Sequence, residues 1–245
     1  MDSKVRLHIT GPLHGGQQAV LSKDQAHYLS GVMRLSPGDT ITVFDGASGA
    51  WRATIDAASK RGGTLTLGDR VAPQRDPPDI WLCFAPIKKA RTDFIVEKAT
   101  ELGAARICPV TTRYTNSERI RRDRLQAHAV EAAEQCGGTF VPPVDEIVTL
   151  AKLLDHWPDD RALIFCDEAL SDDPDWSGEG ESAPWPRAPA AILIGPEGGF
   201  APAERDRLRA HPQAMAVGLG PRILRADTAA VAALTVWQTT QGDWT

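Results

Sequence analysis

The chain has 245 residues, 42% of them hydrophobic, and a formal net charge of −5. That length supports one large domain or two smaller ones, each with a real core. No apolar run approaches the roughly 20 residues of a membrane span, and residues 1–6 lack the apolar segment of a signal peptide. The four cysteines, Cys83, Cys108, Cys136 and Cys166, form no CxxC pair, and the six histidines are scattered, so no metal site is expected. Three of the cysteines sit in strand-like apolar runs and are expected to be reduced and buried, as in a cytoplasmic protein.

Residues 19–21, 39–44, 51–55 and 64–67 form short alternating runs. Turn residues separate them at Pro37-Gly38-Asp39, Asp45-Gly46 and Gly62-Gly63. This pattern predicts a small β-barrel, with one helix over residues 24–33. Residues 73–78 hold three prolines and read as a stiff linker between a domain over 1–72 and another over 79–245.

Beyond the linker the pattern changes to alternating strands and helices. Strands are predicted at 80–85, 106–110, 162–166, 190–194 and 215–219, and helices at 92–102, 118–136 and 227–240. Gly103 ends the first of these helices, and Asp227 or Thr228 stands near the cap of the last. The interleaving implies an α/β domain on a mainly parallel sheet. The continuous apolar run of 80–85 suits a strand covered on both faces.

Two loops carry the chemistry. The strand at 190–194 runs into Gly195-Pro196-Glu197-Gly198-Gly199-Phe200, and Pro202 and Glu204 then open a helix. A second junction reads Leu219-Gly220-Pro221-Arg222-Ile223-Leu224-Arg225-Ala226-Asp227-Thr228. Glycines there permit a close backbone approach to a ligand. Neither loop has the Gly-Lys-Ser/Thr of a nucleotide phosphate loop or a GxGxxG fingerprint, which disfavours ATP and NAD.

Charge is unevenly placed. Residues 86–124 hold ten Lys/Arg and five Asp/Glu, whereas 155–182 hold ten acids and one base. The acids between 167 and 181, interspersed with Pro174, Gly178 and Gly180, read as a solvated surface loop. A basic face for RNA is therefore compatible with an acidic total.

The blocks LIGPEGGF and LGPRILRADTA resemble the RsmE family of SPOUT-class RNA methyltransferases. The basic segment Lys88-Lys89-Ala90-Arg91, the KATELG run ending at Gly103, and Glu131-Ala132-Ala133-Glu134-Gln135-Cys136-Gly137 are similar to the same family. So are the stretch from His27 to Leu35 and Val43-Phe44-Asp45-Gly46, which match its PUA-like domain. The resemblance implies a PUA-like β-barrel joined to a SPOUT domain with a parallel sheet and a deep trefoil knot, working as a homodimer. It also implies transfer of a methyl group from S-adenosyl-L-methionine (SAM) to uracil N3 of a uridine in 16S rRNA of the small ribosomal subunit, the family's uridine 1498. Two departures stand out: Gly138 follows Gln-Cys-Gly where the family often has Arg, and LRADTA replaces LRTETA.

By this resemblance SAM is held by Leu193, Gly195, Pro196, Glu197, Gly198, Gly199, Leu219, Gly220, Ile223 and Leu224. The residues expected to act on the substrate are Arg225, whose guanidinium suits charge developing on a uracil oxygen, and Glu197, as base or cofactor-orienting carboxylate. Phosphate contacts are expected from Lys88, Lys89, Arg91, Arg113, Arg121, Arg122 and Arg124, with Arg6 and Arg34 in the first domain. Trp81 and Trp237 are expected in the core. Two other readings stay open. One is a sister enzyme acting on a ribose 2′-hydroxyl or a tRNA guanine; the other is an RNA-binding module without catalysis.

Overall fold

A computed structural model of the chain describes residues 2–116, 120–172 and 185–244. It divides into two units, Met1–Asp76 with Ala133–Val141, and Pro77–Ala132 with Pro142–Thr245.

In the first unit five strands make one mixed sheet in the order β1-β3-β4-β5-β2. They are β1 (Asp2–His8), β2 (Gln18–Leu21), β3 (Thr40–Phe44), β4 (Ala50–Ser59) and β5 (Gly62–Ala72). Only β1 and β3 pair in parallel. Strand β1 is absent from the sequence reading, although Val5, Leu7 and Ile9 alternate and all three are buried. With Ile41, Val43, Ile55, Leu65 and Leu67 they form this unit's core. The helix predicted over 24–33 is α1 (Lys23–His27), capped by Ser22, and it widens into a π turn over Tyr28–Val32. The carboxylate of Asp45 clasps the loop after β3. It accepts from the backbone N–H groups of Leu13 (3.0 Å), Ala47 (2.9 Å) and Ser48 (2.7 Å) and from the Ser48 hydroxyl (2.9 Å).

The second unit is built on a six-stranded sheet, every pair parallel. Its strands are β6 (Ile80–Phe84), β7 (Arg106–Thr111), β8 (Val148–Thr149), β9 (Ala162–Cys166), β10 (Ala190–Ile194) and β11 (Ala214–Val217). Their order is β11-β9-β10-β6-β7-β8, which puts the central β10 between β9 and β6 with all five of its residues buried. The helices are α2 (Lys89–Glu101), α3 (Arg122–Cys136, its residues from Ala133 on counted with the first unit), α4 (Leu150–Asp155), α5 (Pro202–Arg209) and α6 (Ala226–Thr240). Gly103 stops α2 in the left-handed conformation (φ +74). Buried Gln238 of α6 donates to the carbonyl of Leu102 at 2.7 Å, so α6 satisfies the end of α2.

Three local expectations change. Helix α3 begins at Arg122 rather than 118; Glu118 and Arg119 lie outside the described residues. The N-cap of α6 is Arg225, with Asp227 inside the first turn. Asp167, placed by composition in a solvated loop, has a side chain with 0% exposure, and residues 173–184 of that acidic stretch lie outside the described residues. Cys83, Cys108 and Cys166 are buried in strands and Cys136 is exposed, all four as free thiols. Trp237 is fully buried. Half-buried Trp81 is stacked by Arg161 at 3.7 Å and Arg106 at 4.7 Å. Among the described residues no helix is long and apolar enough to cross a membrane, and no His/Cys/Asp/Glu cluster could hold a metal.

Candidate active site

The carboxyl ends of β9, β10 and β11 open onto a cleft of about 450 Å³. Ligands of open parallel sheets bind at such strand ends, and the volume lies within the roughly 300–1,000 Å³ of small-molecule sites. Its apolar lining comes from Cys166, Ile194 and Val217 at the strand ends, then Leu219, Leu224, Ala226 and Ala229. Burial pushes the Cys166 thiol up to about 12, so it stays protonated at neutral pH and offers no thiolate nucleophile.

The loop from β10 to α5 forms one wall. The N–H of Gly199 donates to the Pro196 carbonyl at 2.9 Å and closes a turn. Gly199 has φ +69, and the space a Cβ would need is taken by the Glu168 carboxylate. The left-handed backbone favours glycine, and a side chain there would have to displace the Glu168 carboxylate. Glu204, in the first turn of α5, accepts from Ala201 N–H at 3.0 Å and from Arg113 N–H at 2.8 Å, tying the turn after β7 to the end of the glycine loop.

Carboxylates and cations sort to different elements. The buried Asp167 carboxylate, directly after β9, pairs with Arg205 at 3.0 Å and with Arg209 at 2.8 Å. Arg205 also reaches Glu168 at 2.9 Å, and Glu168 lines the cleft. Lys88, Arg91, Arg222 and Arg225 contribute four cations to the lining. Arg91 is held by Asp227 at 3.1 Å. Among the described residues the side chains of Lys88, Arg222 and Arg225 have no ion-pair partner, and exposed Arg225 is the N-cap of α6.

An RNA methyltransferase domain model matches residues 74–238, and an RNA methyltransferase PUA domain model matches residues 21–68. A ribosomal RNA small subunit methyltransferase E from Synechocystis is 34% identical over 87% of this chain and 70% of its own length. This chain belongs to the RsmE family. A second relative of that name, from Rickettsia conorii, is 26% identical over 94% of this chain and 93% of its own. Two solved structures, each 28% identical with a TM-score of 0.85, cover 98% of this chain and 98% or 99% of theirs. One is a Legionella pneumophila methyltransferase in complex with SAM; the other is the RsmE of Neisseria gonorrhoeae bound to SAM.

Of the ten residues that the RsmE resemblance assigns to the cofactor, seven line the cleft: Gly195, Pro196, Glu197, Gly199, Leu219, Ile223 and Leu224. Leu193 is buried within β10, Gly198 is exposed and faces Tyr114, and Gly220 (φ +116) stands outside the lining. Arg225 and Glu197, the residues expected to act on the substrate, are both at the cleft and exposed. Lys88 and Arg91 of the RNA set also line the cleft, Lys88 exposed and Arg91 half-buried.

The remaining basic residues divide by their partners. Lys89 and Arg113 are exposed. Arg121 is 76% exposed and pairs with Asp123. Arg122 donates to the Val144 carbonyl at 2.8 Å, and Arg124 grips Asp93 with both terminal nitrogens. In the first unit exposed Arg34 has φ +56. Arg6 stacks over Phe44 and donates to the Gly138 carbonyl at 2.6 Å, and burial pushes its guanidinium below its ordinary value. The carbonyl of Gly138 thus has an arginine partner even though its side chain is gone. Sequence reading missed Cys166, Asp167, Glu168 and Val217 as cleft residues. The available signal was Arg205 and Arg209, four apart on one face of α5.

Proposed function

We propose that this chain transfers a methyl group from SAM to uracil N3 of a uridine in 16S rRNA of the small ribosomal subunit, the uridine numbered 1498 in the family. The observation that carries the reading is the cleft at the ends of β9, β10 and β11, walled by the glycine loop and by the loop into α6. Its size, apolar lining residues and close-approach glycines fit the cofactor. Backbone groups of Gly195, Pro196, Gly199 and Leu219 would hold it, with Ile223 and Leu224 covering its apolar parts. When bound, SAM supplies a methyl group already activated by its sulfonium.

The chain's own task is to position the uracil and manage the proton on N3. Arg225 donates to a uracil oxygen, where negative charge grows as the proton leaves. Glu197 accepts that proton or orients the cofactor. Glu197→Gln separates the roles, because the first predicts slower transfer at constant SAM affinity and the second weaker SAM binding. Lys88, Arg91 and Arg222 take the flanking phosphates. Residues 1–72 serve as the PUA-like RNA-binding barrel, 73–78 as linker and 79–245 as the SPOUT domain with its trefoil knot. The enzyme works as a cytoplasmic homodimer. Exposed Ile223 (66%) and Val236 (38%), on the loop before α6 and on α6 itself, are the apolar side chains such a dimer covers.

The test is nucleoside analysis of small-subunit RNA after incubation with the protein and methyl-labelled SAM. Label in 3-methyluridine supports the reading. Label on a ribose 2′-oxygen or on guanine overturns it in favour of a sister enzyme, and RNA binding without label makes the chain a binding module. A monomer mass by light scattering at micromolar concentration overturns the homodimer.

A further inference from the structure

Tyr114 is left over by the reading above. It lies outside the cleft lining, and among the described residues it is one of the few large rings left exposed, at 44%. Its hydroxyl has no hydrogen-bond partner among the described residues. The turn that presents it is braced on both sides. From within, Thr112 N–H donates to Thr115 Oγ1 at 2.8 Å, Thr115 N–H donates to the Thr112 carbonyl at 3.2 Å, and both threonines are buried. From without, Glu204 holds the N–H of neighbouring Arg113. The ring therefore stands on a fixed support, which lowers the ordering cost of anything that stacks on it.

Its neighbour is Gly198. A Cβ added there would lie 3.4 Å from Tyr114 Cβ and 3.7 Å from the ring's Cγ, so the aromatic side chain runs along bare glycine backbone. Glu197 and Gly199, on either side of Gly198, both line the cleft. One loop residue thus separates the exposed ring from the cleft. The residue before Tyr114 in sequence, Arg113, is exposed, and its guanidinium has no ion-pair partner among the described residues. An exposed aromatic ring with an arginine adjacent in sequence, next to a cleft carrying Lys88, Arg222 and Arg225, is the chemistry that recognises unpaired RNA: the base stacks on the ring and the phosphate meets the cation.

We propose that Tyr114 is the stacking platform for the unpaired base next to the target nucleotide, with Arg113 taking its phosphate. This rests on the RNA-methylating reading above. The platform positions RNA; it takes no part in moving the methyl group or the proton.

The test measures binding of a short fluorescein-labelled single-stranded RNA spanning the target uridine, by anisotropy, alongside SAM affinity by calorimetry. Tyr114→Ala should weaken RNA binding about 5- to 150-fold, the range of one lost base stack, and leave SAM affinity unchanged. Tyr114→Phe and Tyr114→Trp should bind RNA close to wild type, whereas Tyr114→Leu should resemble Tyr114→Ala. An abasic site beside the uridine should weaken wild-type binding and erase the difference between wild type and Tyr114→Ala. The platform is overturned if Tyr114→Ala binds RNA normally while the wild type methylates it. It is equally overturned if SAM and RNA affinity fall together and Tyr114→Leu restores both, or if the variant changes only the oligomeric mass. A wild type that neither binds nor methylates the RNA overturns the underlying reading and the platform with it.

Discussion

Arg205→Met tests whether the buried carboxylate behind the glycine loop organises the cleft. Asp167 is fully buried, and Arg205 and Arg209 each pair with one of its oxygens. Removing one partner of a buried ion pair costs about 3–5 kcal/mol, because the other charge is stranded. Here Arg209 remains, and the two arginine side chains are 22% and 49% exposed, so part of the interaction is already screened. About 2 kcal/mol is the expected loss. For a chain of this size that lowers the melting temperature by roughly 4–8 °C, followed by circular dichroism. The same substitution frees Glu168, whose carboxylate fills the space beside Gly199, so SAM affinity should fall as well. A double-mutant cycle with Asp167→Asn isolates the pair. If Arg205→Met costs as much in the Asp167→Asn background as in the wild type, the ion pair does not hold this end of the sheet and the reasoning fails.

Arg225→Ala should slow single-turnover methylation at saturating SAM by at least about tenfold, equivalent to about 1.4 kcal/mol of transition-state stabilisation. SAM affinity should stay within twofold or so, and Arg225→Lys should rescue poorly because an ammonium lacks the planar fork. A wild-type rate in Arg225→Ala would make the side chain structural. Reversing Lys88 and Arg222 to Glu should flatten the slope of log RNA affinity against log salt by about two units at most. Arg124→Glu should instead destabilise the protein, since Arg124 is engaged by Asp93; an unchanged melt with a flatter salt slope would reverse that assignment. Burial raises the Asp45 carboxyl, but its hydrogen bonds from Ser48, Ala47 and Leu13 outweigh that and hold it below the ordinary 3.8. Its contribution to stability is therefore complete above the unfolded value and lost as the pH falls through the folded one. Asp45→Asn should narrow the stability difference between pH 7 and pH 3, read from urea midpoints, and an unchanged difference would refute the clasp.

What was legible in the sequence was local. The run into Gly195, the proline and acid that start α5, and the stop at Gly103 are short-range patterns, and each stands where its chemistry requires. The cleft's second half was not local. Asp167 looks solvated when read among its acidic neighbours, because its arginines lie 38 and 42 residues away. The helix predicted over 24–33 carries a helical pattern throughout, but apolar spacing cannot register the change of hydrogen bonding at Tyr28 that ends α1 and opens the π turn. Strand β1 was missed for another reason: charged residues alternate with Val5 and Leu7, and the polar face concealed the apolar one. Arg91 and Asp227 meet across 136 residues, a pairing only the packed sheet creates.

The first unit includes Ala133–Val141, from the middle of the chain, and its apolar cluster joins Phe44, Ala50 and Ala72 to Ala133 and Val141. This matters for the order of events during synthesis. Residues 1–76 emerge first, with Phe44 and Ala50 still lacking their cover, and about 56 further residues must follow before Ala133 can close it. A cut in the proline-rich linker would leave the amino-terminal fragment in that unfinished state. Cotranslationally, the first unit is completed only after the first stretch of the second, Pro77–Ala132, has been made.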